Sequence, residues 1–158
     1  MRASERVLTA RLVLRRPRPE DAEAIFERYA SDPEVTRLLS FPRHQSLAAT
    51  RAFLEWSEAE WARWPAGPYL VESREGGRLL GSTGLSFETP LRAATGYVLA
   101  RDAWGRGYAT EALRQVLFDT IAVAATGVEL SHESRRARPQ ASRHLLEVPV
   151  GQLAHGAI

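Results

Sequence analysis

The stretch Ala94-Thr-Gly-Tyr-Val-Leu-Ala-Arg-Asp-Ala-Trp-Gly-Arg-Gly-Tyr-Ala-Thr-Glu-Ala-Leu113 decides how the rest of the chain is read. Thr95 to Ala100 reads as a strand and Gly105-Arg-Gly107 as a turn. A helix follows, in which Ala109, Ala112, Leu113, Val116, Leu117 and Ile121 share one apolar face. A strand that runs through glycines into a helix start builds a seat for phosphate. The first amides of a helix lack intrahelical acceptors, the helix dipole adds positive potential, and glycines let an anion approach the backbone.

Upstream, Pro68-Tyr-Leu-Val-Glu-Ser-Arg74 and Arg78-Leu-Leu-Gly-Ser-Thr-Gly-Leu-Ser-Phe87 form two strands around Glu75-Gly-Gly77, glycines able to take the positive φ of a hairpin turn. Thr89-Pro-Leu-Arg-Ala93 is a loop. Ser46 caps a helix to about Trp64, with Leu47, Leu54 and Trp61 recurring along one side and Phe53, Trp56 and Trp64 widening it. Such an aromatic helix face reads first as core and second as the wall of a groove. Nearer the start, Val7 to Arg16 alternates as a single first strand and Pro19-Glu-Asp21 opens a helix through Tyr29. Glu34 to Leu39 is a helical turn, and Ser40-Phe-Pro-Arg-His44 a loop. Downstream, Val128-Glu-Leu-Ser131 supplies one more strand. The order β α α β β β α β fits an α/β (α+β) fold, a mixed sheet with helices on both faces.

At 158 residues the chain is read as a single domain over 1–158. No apolar run spans a bilayer and the start lacks a signal peptide's apolar core, so a cytoplasmic location and no membrane partner are expected. The absence of cysteine removes disulfides, a catalytic thiol and thiolate metal sites, and no metal is expected. The pI near 9.5 invites a nucleic-acid reading, yet the net charge is only +2. All 21 basic residues are arginine, whose high pKa lifts the pI without much surplus charge, so nucleic acid is not the expected partner.

Two phosphate grammars are excluded. A P-loop needs a lysine, and the chain has none. A dinucleotide fingerprint needs a third glycine where Thr110 stands, and would follow the first strand rather than the fourth. Gly96-Tyr-Val-Leu99 followed by Trp104-Gly-Arg-Gly-Tyr-Ala-Thr-Glu-Ala-Leu113 closely resembles the acetyl-CoA motif of the GNAT superfamily, in the form of its RimJ/RimL-type N-acetyltransferases. The match extends upstream through Leu8-Thr-Ala-Arg-Leu-Val-Leu-Arg-Arg-Pro17, Pro19-Glu-Asp-Ala22 and Leu80-Gly-Ser-Thr-Gly-Leu85, and covers about 130 residues.

The resemblance implies a mostly antiparallel central sheet and an N-acetyltransferase that moves acetyl from acetyl-CoA to a primary amine by direct attack. The acceptor would be a protein N-terminus or a small amine. The alternative is a non-catalytic acyl-CoA-binding protein. Amides of Gly105, Arg106, Gly107, Tyr108, Ala109 and on to Thr110 would hold the pyrophosphate. The strand that carries Tyr97, Val98 and Leu99 would be bulged, with pantetheine pairing along those three. Asp102 stands where relatives carry Gln or Arg, which leaves Arg101 or Arg106 as the side-chain contact. An amide near Leu99 is the natural oxyanion donor. For proton handling, the candidates are Glu88 at the end of the third long strand and His44 in the substrate-side loop, with its near-neutral ordinary pKa. Ser142, heading what remains of the family's last helix, is the third. Glu88 and His44 each also have a plain reading, as a solvated loop acid and a surface histidine. Glu111, in the first turn of its helix, reads as structural.

Residues 127–158 depart from the family pattern. Ser142 to Glu147 keeps a trace of the last helix, Pro149 cannot continue it, and the closing strand is missing or very short. Three explanations stay open: a frameshifted or truncated gene, a terminus completed by strand exchange in a homodimer, or Arg135, Arg136, Arg138 and Arg143 meeting an acidic partner.

Overall fold

A computed structural model of the chain describes residues 2–37, 39, 41–89, 92–124 and 146–148. Its sheet has six strands in sequence order, each antiparallel to the next. They are β1 (Arg6–Leu8), β2 (Leu12–Arg15), β3 (Pro68–Ser73), β4 (Leu79–Thr89), β5 (Arg92–Leu99) and β6 (Leu146–Val148). The helices are α1 (Ala22–Ile25), α2 (Pro33–Thr36), α3 (Leu47–Arg63) and α4 (Tyr108–Ala124). Short turns extend α1 on both sides, Pro19–Asp21 before it and Phe26–Ala30 after it. Among the described residues, no helix is long and apolar enough to cross a membrane.

Side-chain alternation sorts the core into two layers. On one face Leu12, Leu14, Tyr69, Val71, Leu85, Phe87 and Leu99 meet Ala112 and Val116 of α4 and Trp61 of α3. On the other, Leu70, Leu79 and Val98 meet Ile25, Tyr29, Val35 and Leu54. The aromatic stripe of α3 is therefore divided. Trp61 is core, edge-on to Tyr69 with its indole N–H on the Pro68 carbonyl at 2.7 Å; Trp64 stacks on Phe87; Trp56 is 43% exposed.

Four expectations are corrected. The first strand is a hairpin, because the Thr9 hydroxyl accepts the Leu12 amide at 2.9 Å and closes a turn where no glycine or proline announces one. The bulge implied for the strand of Tyr97 to Leu99 is absent: β5 pairs with β4 without interruption from Leu99 opposite Gly81 to Ala93 opposite Phe87. Leu146 and Glu147, read as the end of a helix remnant, belong to β6. The proline after Val148 disfavours a helical conformation at that residue and suits an extended one. The closing strand exists, three residues long, and lies against Ala93 to Thr95. The strand expected at Val128 to Ser131 and the side chain of Ile121 lie outside the described residues.

β3 and β4 approach closely at Gly84, where an added Cβ would fall 2.6 Å from the Pro68 Cα and 2.7 Å from the Gly67 carbonyl oxygen, at a φ of +152°. Backbone cannot yield there as a flexible side chain can. Gly84→Ala should lower the free energy of unfolding by about 1–3 kcal/mol, measured by urea denaturation.

Candidate functional site

The glycine turn and the head of α4 form the first part of the site. Gly105 and Gly107 hold φ of +69° and +77°, which side chains rarely adopt, and between them they turn the chain into α4. The Glu111 amide bonds the Gly107 carbonyl at 3.1 Å, the first bond of the helix. Among the described residues, the amides from Gly105 to Thr110 donate to no backbone carbonyl. They are the unpaired donors of a helix start and the turn before it, which suits an anion.

What holds this turn is a bracket that sequence reading missed. One Glu111 carboxylate oxygen accepts the Thr9 hydroxyl at 2.5 Å and the Arg11 amide at 2.9 Å; the other accepts Arg11 Nε at 2.7 Å. Arg11 Nη1 donates to the Arg106 carbonyl at 2.8 Å, and the guanidinium lies over the Tyr108 ring, 4.6 Å from its centroid. The β1–β2 turn thus clamps the glycine turn from outside. Burial would push the Glu111 carboxyl up, but the hydrogen bonds from Thr9 and Arg11 outweigh it and hold the group below its ordinary value. Glu111 is structural, as read. The sequence carries no local signal for its partners, which lie a hundred positions away.

The arginines nearby are divided between roles. Arg101 donates from Nε to Asp32 at 2.7 Å, and the same carboxylate caps α2 through the amides of Glu34 and Val35. The Arg106 side chain is exposed. Asp102 is bonded by Arg28 at 2.9 Å and by Arg78. Arg28 first, then the charges of Arg78 and Arg106, hold its carboxyl below the ordinary range. Its negative charge is matched before any anion arrives.

The second part is the edge of β5. The Ala100 amide donates to the Leu80 carbonyl, so the pair 100/80 exchanges hydrogen bonds, and alternation gives the same role to 98/82, 96/84 and 94/86. The backbone groups of Val98 therefore face β4, while those of Tyr97 and Leu99 face the opposite edge. β6 covers that edge only from Ala93 to Thr95. The Leu99 carbonyl is taken by the Trp104 indole N–H at 2.7 Å. What remains open among the described residues is the Tyr97 amide and carbonyl and the Leu99 amide.

The third part is a groove of about 950 Å³ between the sheet, α3 and the loop before it. Its floor is Ser82, Gly84 and Ser86 of β4 with Ala94, Gly96 and Val98 of β5; its walls include Ile25, Phe41, Phe53 and Trp56. These small floor residues leave unfilled the space that a packed sheet face would occupy. Of the predicted residues, Tyr97, Val98 and His44 line the groove. The His44 amide donates to the Ala30 carbonyl at 2.9 Å, its Nδ1 lies 2.9 Å from Thr50 Oγ1, and burial lowers its pKa. Glu88 sits where the β4–β5 register shifts, between Phe87 and Thr89, and lies beyond the groove lining, 52% exposed, its carboxylate 3.3 Å from Arg92 Nε. Ser142 lies outside the described residues.

The sheet, the glycine turn at the head of α4 and the groove define an α/β domain with a candidate anion and ligand site. A family model, the acetyltransferase (GNAT) domain, matches residues 11–138, and the chain belongs to that family. The match continues past residue 127, where the departure from the pattern was read. An uncharacterized N-acetyltransferase p20 of Bacillus licheniformis is 29% identical over 115 residues, spanning 72% of this chain and 64% of that protein, so the chain covers less than two thirds of this relative. RimL, a ribosomal L7/L12 α-N-protein acetyltransferase, has the same fold with a TM-score of 0.60 at 23% identity over 74% of this chain and 64% of its own. The microcin C7 self-immunity acetyltransferase MccE, solved with acetyl-CoA and AMP, gives 0.58 at 15% identity over 74% and 66%.

Glu111→Ala should cost about 1–3 kcal/mol of stability at neutral pH, since it strips partners from Thr9 and Arg11. Because the folded pKa is depressed, the carboxylate's contribution is complete above its ordinary value of 4.5 and is lost as pH falls through the folded value. Thermal melts should show the difference between wild type and variant closing below about pH 4.5, at the acid end only.

Proposed function

We propose that the chain transfers an acetyl group from acetyl-CoA to a primary amine, either a protein N-terminal α-amine or a small amine. The observation that carries this reading is the junction of three parts in one run of sequence. The open backbone edge at Tyr97 and Leu99 borders the groove and leads, through Arg101 to Trp104, into the unbonded amides of Gly105 to Thr110. A long thiol ester with a diphosphate at one end and amides along its arm needs that order of partners: helix-start amides for the diphosphate, a strand edge for the arm and space beyond it for an acceptor. Family membership supports the donor, and the fold shared with RimL, whose acceptor is a protein α-amine, supports that class of acceptor.

In this reading the free amine attacks the thioester carbonyl carbon. A C–N bond forms, the C–S bond breaks, and the proton shed by the amine balances the one taken up by the thiolate. The Leu99 amide is the donor to the developing oxyanion, since its carbonyl is already engaged by Trp104 and its N–H faces the open edge. Of the two groups considered for proton handling that lie among the described residues, His44 lines the groove and Glu88 does not. An α-amine, with an ordinary pKa of about 8, is partly uncharged at neutral pH and demands little of a base.

Calorimetry should show acetyl-CoA binding, and a thiol-release assay over an amine panel should show coenzyme A freed only when an amine is present. Binding without amine-dependent release would leave a non-catalytic acyl-CoA binder; no binding at all would end the reading. Gly107→Val, which puts a β-branched residue at φ +77°, should weaken acetyl-CoA binding at least about tenfold, while circular dichroism still reports a folded chain.

A further inference from the structure

Thr50 is fully buried on α3, and its hydroxyl makes one hydrogen bond among the described residues, to His44 Nδ1 at 2.9 Å. A hydroxyl carries one proton, and leaving that proton unplaced in the interior is costly. Nδ1 is the acceptor available, so Thr50 donates and Nδ1 carries the lone pair. A neutral imidazole with an unprotonated Nδ1 has its proton on Nε2. Phe41 and Phe53 flank the ring, with centroids 6.0 and 6.5 Å from it, and both also line the groove. Nε2 makes no hydrogen bond among the described residues and is not closed off from solvent.

We propose that Thr50 is a positioning residue that fixes His44 as the Nε2–H tautomer, so that His44 offers the groove a hydrogen-bond donor for an oxygen of the acceptor molecule and does not take the amine's proton. This rests on the acetyl-transfer reading of the groove. Protonating the ring would turn Nδ1 into a donor, oblige Thr50 to accept, and leave the hydroxyl proton without a partner. Burial works in the same direction, lowering the pKa of His44. Among the described residues the groove lining contains no carboxylate and no guanidinium; its titratable side chains there are His44, Tyr29 from the first helical segment and Tyr97 from β5. Nothing in that lining supplies a charge that would stabilise an imidazolium.

The test is the ring-nitrogen NMR spectrum of ¹⁵N-histidine-labelled full chain, with steady-state kinetics. At pH 7, His44 should show an unprotonated Nδ1 and a protonated Nε2. A protonated Nδ1, alone or in an imidazolium, overturns the proposal. Thr50→Val should give mixed tautomers and raise KM for the amine about three- to tenfold, with KM for acetyl-CoA unmoved; Thr50→Ser should restore both. His44→Gln, which keeps an N–H donor but cannot take a proton, should raise the amine KM while lowering kcat less than about threefold and leaving the acid limb of the pH profile in place. A fall in kcat of about a hundredfold or more, with loss of that limb, marks a general base and overturns the proposal. If no amine is acetylated, the functional reading falls and the spectrum alone decides the tautomer.

Discussion

The Glu111 carboxylate, gripped by the Thr9 hydroxyl and by the amide and guanidinium of Arg11, is the contact on which the rest of the site depends. A glycine turn is flexible in proportion to its usefulness: the conformations that expose its amides cost a free chain entropy. Here that entropy is removed from outside. The β1–β2 hairpin is fixed to the sheet by pairing with β3, and it delivers Arg11 to the Arg106 carbonyl and to the Tyr108 ring. The unpaired amides are thus held in place before any ligand arrives, and ligand binding need not supply the order.

The same economy governs β5. Antiparallel pairing commits alternate residues to β4, and β6 pairs only with Ala93 to Thr95, so among the described residues the outward amides of Tyr97 and Leu99 have no strand partner while Val98 is consumed. An open strand edge elsewhere would be an aggregation hazard. Here it is short, and Trp104 closes its far end by taking the Leu99 carbonyl.

Much of this was legible in the sequence, and what was not has physical reasons. The glycine turn, the helix after it and the Gly76-Gly77 hairpin are local, and their residue types dictate backbone conformation directly. The first hairpin was missed because its turn is made by a threonine side chain bonding its own backbone, which no turn-forming residue announces. Arg11 was missed because its role exists only once residues a hundred apart are brought together. The groove was legible only at its wall, where Trp56 had a second reading as a groove residue, and its floor was missed for a subtler reason. Ser82, Gly84 and Ser86 were read as an ordinary strand, which they are, but their meaning lies in volume that no neighbour fills.

These two kinds of legibility follow the two halves of the proposed reaction. A diphosphate and an amide arm are recognised by backbone groups, and backbone recognition leaves a mark in sequence because only certain residues permit the conformation. An acceptor is recognised by side chains that meet across the fold, here His44 from a loop, Thr50 from α3 and the small floor of β4 and β5. Each of those residues is unremarkable alone, since a threonine in a helix or a serine in a strand satisfies its own surroundings. Among the described residues they make a groove with aromatic walls and no charged lining side chain, which in the proposed reading would select by hydrogen-bond direction and shape. Near the glycine turn, by contrast, charged side chains are present but mostly matched, Arg11 by Glu111 and Arg101 by Asp32, with Arg106 exposed. In the proposed reading, an acceptor bearing several cationic groups would find no opposite charge in the described lining, whereas an amine with an apolar body and a nearby oxygen would meet aromatic walls and a hydrogen-bonding ring.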